Sequence, residues 1–131
     1  MNTRHVPDLE HCQELDRLCK EKGIVMPETE FVWYERYQHQ TGNWGIAEST
    51  PENFVAGAML IPAPLVSEQG EWLPNTHQQY KYYKRHNGQW VCRFDYGTSP
   101  TGVHMEEADT EANARQKMLN YLIAEGIITK L

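Results

Sequence analysis

The residues of this chain best suited to chemistry are its six histidines and three cysteines. Their spacing decides whether any of them can share a metal ion or a reaction. Cys12 and Cys19 fall on one face of a helix but stand about 10.5 Å apart along its axis, too far for one disulfide or one zinc ion. His11 and Cys12 are adjacent, and on a helix they diverge by about 100°. His104-Met105-Glu106 has the H-x-E spacing that opens a zinc deaminase site, but the P-C-x-x-C that would complete the ligand set does not follow. No metal site is expected. No cofactor is expected either, because the chain has neither a Walker loop nor a G-x-G-x-x-G cradle for phosphates.

Nucleophilic catalysis also lacks its sequence context. There is no G-x-S-x-G elbow, and nothing beside Ser67, Ser99 or Cys92 marks a base. Glu106 and Glu107 are neighbouring carboxylates that do not converge, and they read as the acidic start of a helix, where the dipole favours negative charge. The chain is expected not to be an enzyme.

One stretch is dense in both rings and charges: "QQYKYYKRHNGQWVCRFDY", residues 78–96. Asn87-Gly88 predicts a two-residue type I′ hairpin, because that turn needs positive φ twice. The register then sets Arg85 opposite Trp90, Tyr83 opposite Cys92 and Lys81 opposite Phe94, with Trp90, Cys92, Phe94 and Tyr83 on the buried face. Lys84 meets Val91, Tyr82 meets Arg93 and Tyr80 meets Asp95 on the polar face. Tyr80 and Tyr82 could stack bases there while Lys84, Arg93 and Lys81 hold phosphates, as single-strand-binding sheets do. Ordinary cross-strand packing accounts for the same residues. The formal net charge of −6 works against a polyanionic partner.

These side chains need elements to hold them. Pro7 and Asp8 precede an amphipathic run that predicts a helix over 8–22, with the Asp8 carboxylate as cap and Gly23 as terminator. "EFVWYERYQ" reads as a strand, "HQTGNW" as a turn and "WGIAES" as the returning strand. "TPENFVAG" fits either a loop or a helical turn. "AMLIP" suits an edge strand, and Pro64 the first turn of a short helix that gathers Leu65, Val66, Trp72 and Leu73 on one side, with Gln69 among them, and stops at Pro74. "GTSPTGVH" reads as a loop. "MEEADTEANARQKMLNYLIAEG" reads as the main helix, with a stripe of Ala108, Ala112, Leu119, Leu122 and Ile123, and with Gly126 at its end. "IITKL" either adds a short strand or docks on the core.

Arg115 falls in the middle of that stripe. A guanidinium stays charged, so it needs a partner, and Glu111 is the nearest. Two arrangements are open: a head that reaches water, or one that points between helix and sheet and receives an anionic group from a ligand or partner.

The chain of 131 residues is read as one domain, 1–131, able to bury a two-layer core. The pattern predicts an α+β fold: an antiparallel sheet with two main helices and one short helix on one face. No apolar run reaches the length of a membrane span, the first residues lack a signal-peptide core, and the odd cysteines lack C-x-x-C spacing. A cytoplasmic protein with reduced cysteines is the simplest expectation.

Several segments together resemble a group of small proteins of unknown function encoded by bacteriophages and prophage-like elements. They are "PDLEHCQELDRLCKEKGI", "FVWYERY", "IPAPLVSEQGEWLP" and "ANARQKMLNYLIAEGII". The resemblance covers most of the chain and brings no catalytic residues. It implies a phage-type accessory protein of the cytoplasm. The leading expectation is therefore a non-enzymatic protein that binds a protein partner of host or phage, or its own copy as a homodimer. A single-stranded nucleic-acid binder using the hairpin is the second reading. A nucleotide-like small molecule held between Trp33, Tyr34 and Trp90 is the third. A flat exposed apolar patch would favour the first.

Overall fold

In the computed structural model of the chain, the structure describes residues 6–35, 44–50, 59–73, 80–95 and 103–131, and of residues 80–82 and 95 the backbone alone. The described residues form three helices and six strands: α1 (Leu9–Lys22), β1 (Phe31–Glu35), β2 (Trp44–Glu48), β3 (Leu60–Ala63), α2 (Val66–Trp72), β4 (Tyr80–Lys84), β5 (Trp90–Asp95), β6 (Val103–Ala108) and α3 (Glu111–Ala124). The fold is α+β with antiparallel strands, as expected. The strands divide between two three-stranded sheets, ordered β2-β1-β3 and β4-β5-β6, where one sheet had been expected. The turn read in "HQTGNW" before Trp44, the segment 51–58 and Pro74 lie outside the described residues.

Each sheet has its own packing partner. Beneath the hairpin sheet, Cys92 and Phe94 pack with Leu15, Leu18 and Cys19 of α1 and with Met118, Leu119, Leu122 and Ile123 of α3. Beneath the other sheet, Ile61 and Ala63 pack with Val6 and Cys12, and Phe31, Trp33 and Ile46 close around them. α1 and α3 pack against each other, and α1 also lies on β3. Ile128 docks on the first cluster, so the last residues join the core without forming a strand.

Both long helices end at left-handed glycines, Gly23 (φ 70°) and Gly126 (φ 75°). Their starts differ from expectation. Asp8 is the cap residue of α1, but its carboxylate makes no capping bond; its backbone N–H donates to Asn113 Oδ1 at 2.7 Å. The closing helix begins later than its acidic run suggested. Residues 103–108 pair with β5 as an edge strand, and the cap of α3 is Thr110, whose Oγ1 accepts from the Asn113 N–H at 3.1 Å. Ala108, Glu106 and Glu107 are therefore strand residues. Pro64 precedes the cap of α2, Leu65, and does not sit in its first turn. Glu68 holds that end instead, accepting from the Leu65 N–H at 2.8 Å and from the Glu30 N–H at 3.2 Å.

Candidate functional site on the hairpin sheet

The hairpin turn sets the geometry of the candidate site. The Gly88 N–H donates to Arg85 O at 3.0 Å, and the Arg85 N–H donates to Gln89 O at 2.7 Å. The loop therefore has three residues, His86, Asn87 and Gly88, with Gly88 left-handed at φ 85°. This is the turn-plus-bulge connection, next in frequency to the two-residue turn that Asn-Gly suggests. It shifts the register by one. Tyr80 lies opposite Phe94, Tyr82 opposite Cys92, Tyr83 opposite Val91, Lys81 opposite Arg93 and Lys84 opposite Trp90.

A one-residue shift exchanges the faces of one strand relative to the other. The expected polar face, with Tyr80, Tyr82, Lys84 and Arg93 side by side, is not formed. Arg93 lies in the row of Lys81 and Met105, whereas Tyr82 lies in the row of Cys92 and Glu106. Cys92 and Phe94 are buried and Trp90 packs on the core as expected, but Tyr83 is 42% exposed on the outer side.

The outer face carries Tyr83, Arg85, Arg93, Met105 and Glu107. Met105 is 48% exposed, Val91 between the rows is buried, and Arg85 lies 3.9 Å from Glu107. An open groove of about 480 Å³ runs along Tyr83, Lys84, Arg85, His86 and Asn87. Lys84 also borders a second cavity of about 390 Å³ with Trp90, Asp109 and Glu111. The carboxylates there are already engaged: Asp109 accepts from Asn113 and Glu111 accepts from Arg115.

Arg115 does find Glu111, Nη2 to Oε1 at 3.0 Å. Its head does not reach water, for the residue is only 6% exposed. The guanidinium lies against α2, where the place of the missing Gly70 side chain would be 3.1 Å from Nη1. Trp33 and Trp90 do not share a pocket wall among the described residues. Trp33 packs in the cluster under the first sheet and donates to Pro7 O at 3.1 Å, while Trp90 belongs to the other cluster.

Among the described residues, the ionisable pair nearest this sheet is held by its neighbours. His104 and Glu106, two apart on a strand and so on one face, are joined Nε2 to Oε1 at 2.9 Å. The His104 ring stacks on Tyr121, centroids 3.4 Å apart and planes within 4°. Reading this stretch as loop and helix hid the dyad; the i, i+2 spacing of a strand would have shown it. Cys12, Cys19 and Cys92 are all buried, and none of them is in a disulfide. Burial pushes the Cys12 thiol well above its ordinary range and raises that of Cys19, so neither is poised as a thiolate nucleophile or ligand. Asp8, Glu10 and His11 bring one ligand atom each within 4.8 Å of one another, a grouping the sequence reading passed over. Asp8 and Glu10 are exposed at the start of α1, where the helix dipole alone accounts for acidic residues.

No family model, curated protein or solved structure matches the chain. No helix among the described residues is long and apolar enough to cross a membrane.

Proposed function

We propose that the protein acts without catalysis, as a phage-type accessory protein of the cytoplasm, by binding another protein through the outer face of its hairpin sheet. The observation that carries this reading is the exposure of Tyr83 and Met105 on either side of Val91 and Arg93, on the face turned away from α3. Tyrosine, methionine and arginine are the residue types enriched where protein surfaces meet, and rigid aromatic anchors contribute most of the binding energy at such places. The non-catalytic part of the reading is supported by how the reactive groups among the described residues are used: the thiols are buried, and the His104 ring, paired with Glu106, stacks on Tyr121 of α3.

Site-specific photo-crosslinking in cells of a susceptible bacterium tests it. A photoreactive residue at position 83 or 105 should capture one and the same protein, and one at the exposed Gln13 of α1 should not. The captured protein, once purified, should bind the parent chain and lose affinity for Tyr83→Ala by about tenfold or more, as expected of an anchor. Equal capture from position 13, or full affinity of Tyr83→Ala, overturns the reading.

A further inference from the structure

We infer that the occupant of this surface is an acidic, extended peptide segment that joins the sheet as a strand beside β4. The inference rests on the protein-binding reading above and names the partner's chemistry. β4 is an edge strand, and among the described residues it pairs with β5 alone. The bond from the Arg85 N–H to Gln89 O fixes which backbone groups point inward. Narrow and wide pairs alternate along an antiparallel ladder, so Arg85, Tyr83 and Lys81 turn their backbone groups toward β5. The N–H and C=O groups of Lys84, Tyr82 and Tyr80 therefore face away from β5, along the edge that no other described strand pairs with, in the spacing that an added strand requires.

Charge selects the added strand. Lys84, Arg85 and His86 are all exposed around the turn. Among the described residues Lys84 and His86 form no ion pair, and Arg85 has only Glu107, at 3.9 Å. This basic end belongs to a chain whose net charge is −6, so it is a local feature and not a property of the whole surface. A second copy of β4 would add further lysines to an edge that already carries Lys84, Arg85 and His86, and gathering like charges is unfavourable. Edge lysines are a common means of keeping such strands from pairing with one another. An acidic strand is the sequence that this edge admits, and the groove along Tyr83 to Asn87 offers its side chains a seat.

The test is fluorescence anisotropy with a labelled peptide of alternating valine and glutamate, titrated with the full chain. Binding should weaken as salt is raised. The same peptide with lysine in place of glutamate should not bind, and methylating alternate backbone nitrogens should cost about tenfold or more, because the ladder bonds are lost. Lys84→Glu with Arg85→Glu should reduce affinity by about tenfold or more, with the circular dichroism spectrum showing that the fold is kept. Equal binding of the lysine peptide or of the methylated peptide overturns the inference. So does a single-stranded DNA oligonucleotide that binds as tightly as the glutamate peptide and displaces it. The two readings fail separately. A partner captured at positions 83 and 105 whose affinity ignores the double charge reversal leaves protein binding intact and removes the acidic strand. Peptide binding as described, with no capture at either position, does the reverse.

Discussion

Arg115 shows what a single residue can disclose and what it cannot. Its pairing with Glu111 follows from helical spacing, because residues four apart lie one above the other. Its burial does not follow, because the element that closes over it is another helix. Gly70 of α2 faces the guanidinium, and a Cβ there would stand 3.1 Å from Nη1. Glycine inside a helix costs about 1 kcal/mol relative to alanine. Here the loss makes room for a charged group. Gly70→Ala is therefore expected to lower stability by about 1 kcal/mol in the parent chain, since the helix gain is outweighed by displacing Arg115 from Glu111. In an Arg115→Met background the same change should raise stability by about 1 kcal/mol, the bare propensity term. A double-mutant cycle by urea denaturation measures the coupling, expected at about 2 kcal/mol. Equal effects of Gly70→Ala in the two backgrounds would refute the packing argument.

At the scale of elements, α1, β1, β2, β3 and the existence of the hairpin were legible because each carries its own local pattern. The hairpin register was not, because Asn-Gly serves two loop lengths and the choice is made by what must be buried. A two-residue loop would set Lys81 opposite Phe94, in a row whose β5 member is in the core. The three-residue loop sets Tyr80 there and moves Lys81 opposite Arg93. β6 was missed for a related reason. "VHMEEA" has no strong strand pattern of its own, and it is held as an edge by its ladder to β5. Its glutamates imitate a helix start, while the true cap, Thr110, has a side-chain oxygen in the right place. The turn gives a direct check. Gly88 at φ 85° is in the region where a Cβ meets the following carbonyl. Gly88→Ala should cost about 1–2 kcal/mol, and Gly88→Asn less, because asparagine tolerates the left-handed region. Thermal unfolding of both variants decides it: equal losses would mean that the left-handed requirement is not what Gly88 supplies.

For the molecule as a whole, α3 is the common member, packed against α1, α2, β5 and β6. A helix with neighbours on several sides should be apolar on several sides, yet α3 buries Asn113, Gln116 and Asn120. Its sequence marked the apolar stripe and gave no sign that these amides were inside, since polar residues on a helix are read as its wet face. They form a seam between helices. Gln69 Nε2 of α2 donates to Ala112 O and to Gln116 Oε1, both at 3.0 Å. Gln116 Nε2 donates to Asn120 Oδ1 at 2.8 Å, and Asn120 Nδ2 to His11 O of α1 at 3.0 Å. A buried amide left without its partner costs about 1–3 kcal/mol, whereas removing both members of a pair in favour of apolar groups can be nearly neutral. Gln116→Leu takes an acceptor from Gln69 and a donor from Asn120, so it should cost about 1–3 kcal/mol. Gln69 Oε1 is already buried without a partner among the described residues. Adding Gln69→Leu therefore removes both that carbonyl and the one N–H that Gln116→Leu has left unpaired, while giving up the bond to Ala112 O. The double variant should recover about 1 kcal/mol relative to Gln116→Leu alone. Urea denaturation of both single variants and the double variant tests this. If the single losses simply add, the seam is a set of independent contacts and not a connected network joining the three helices.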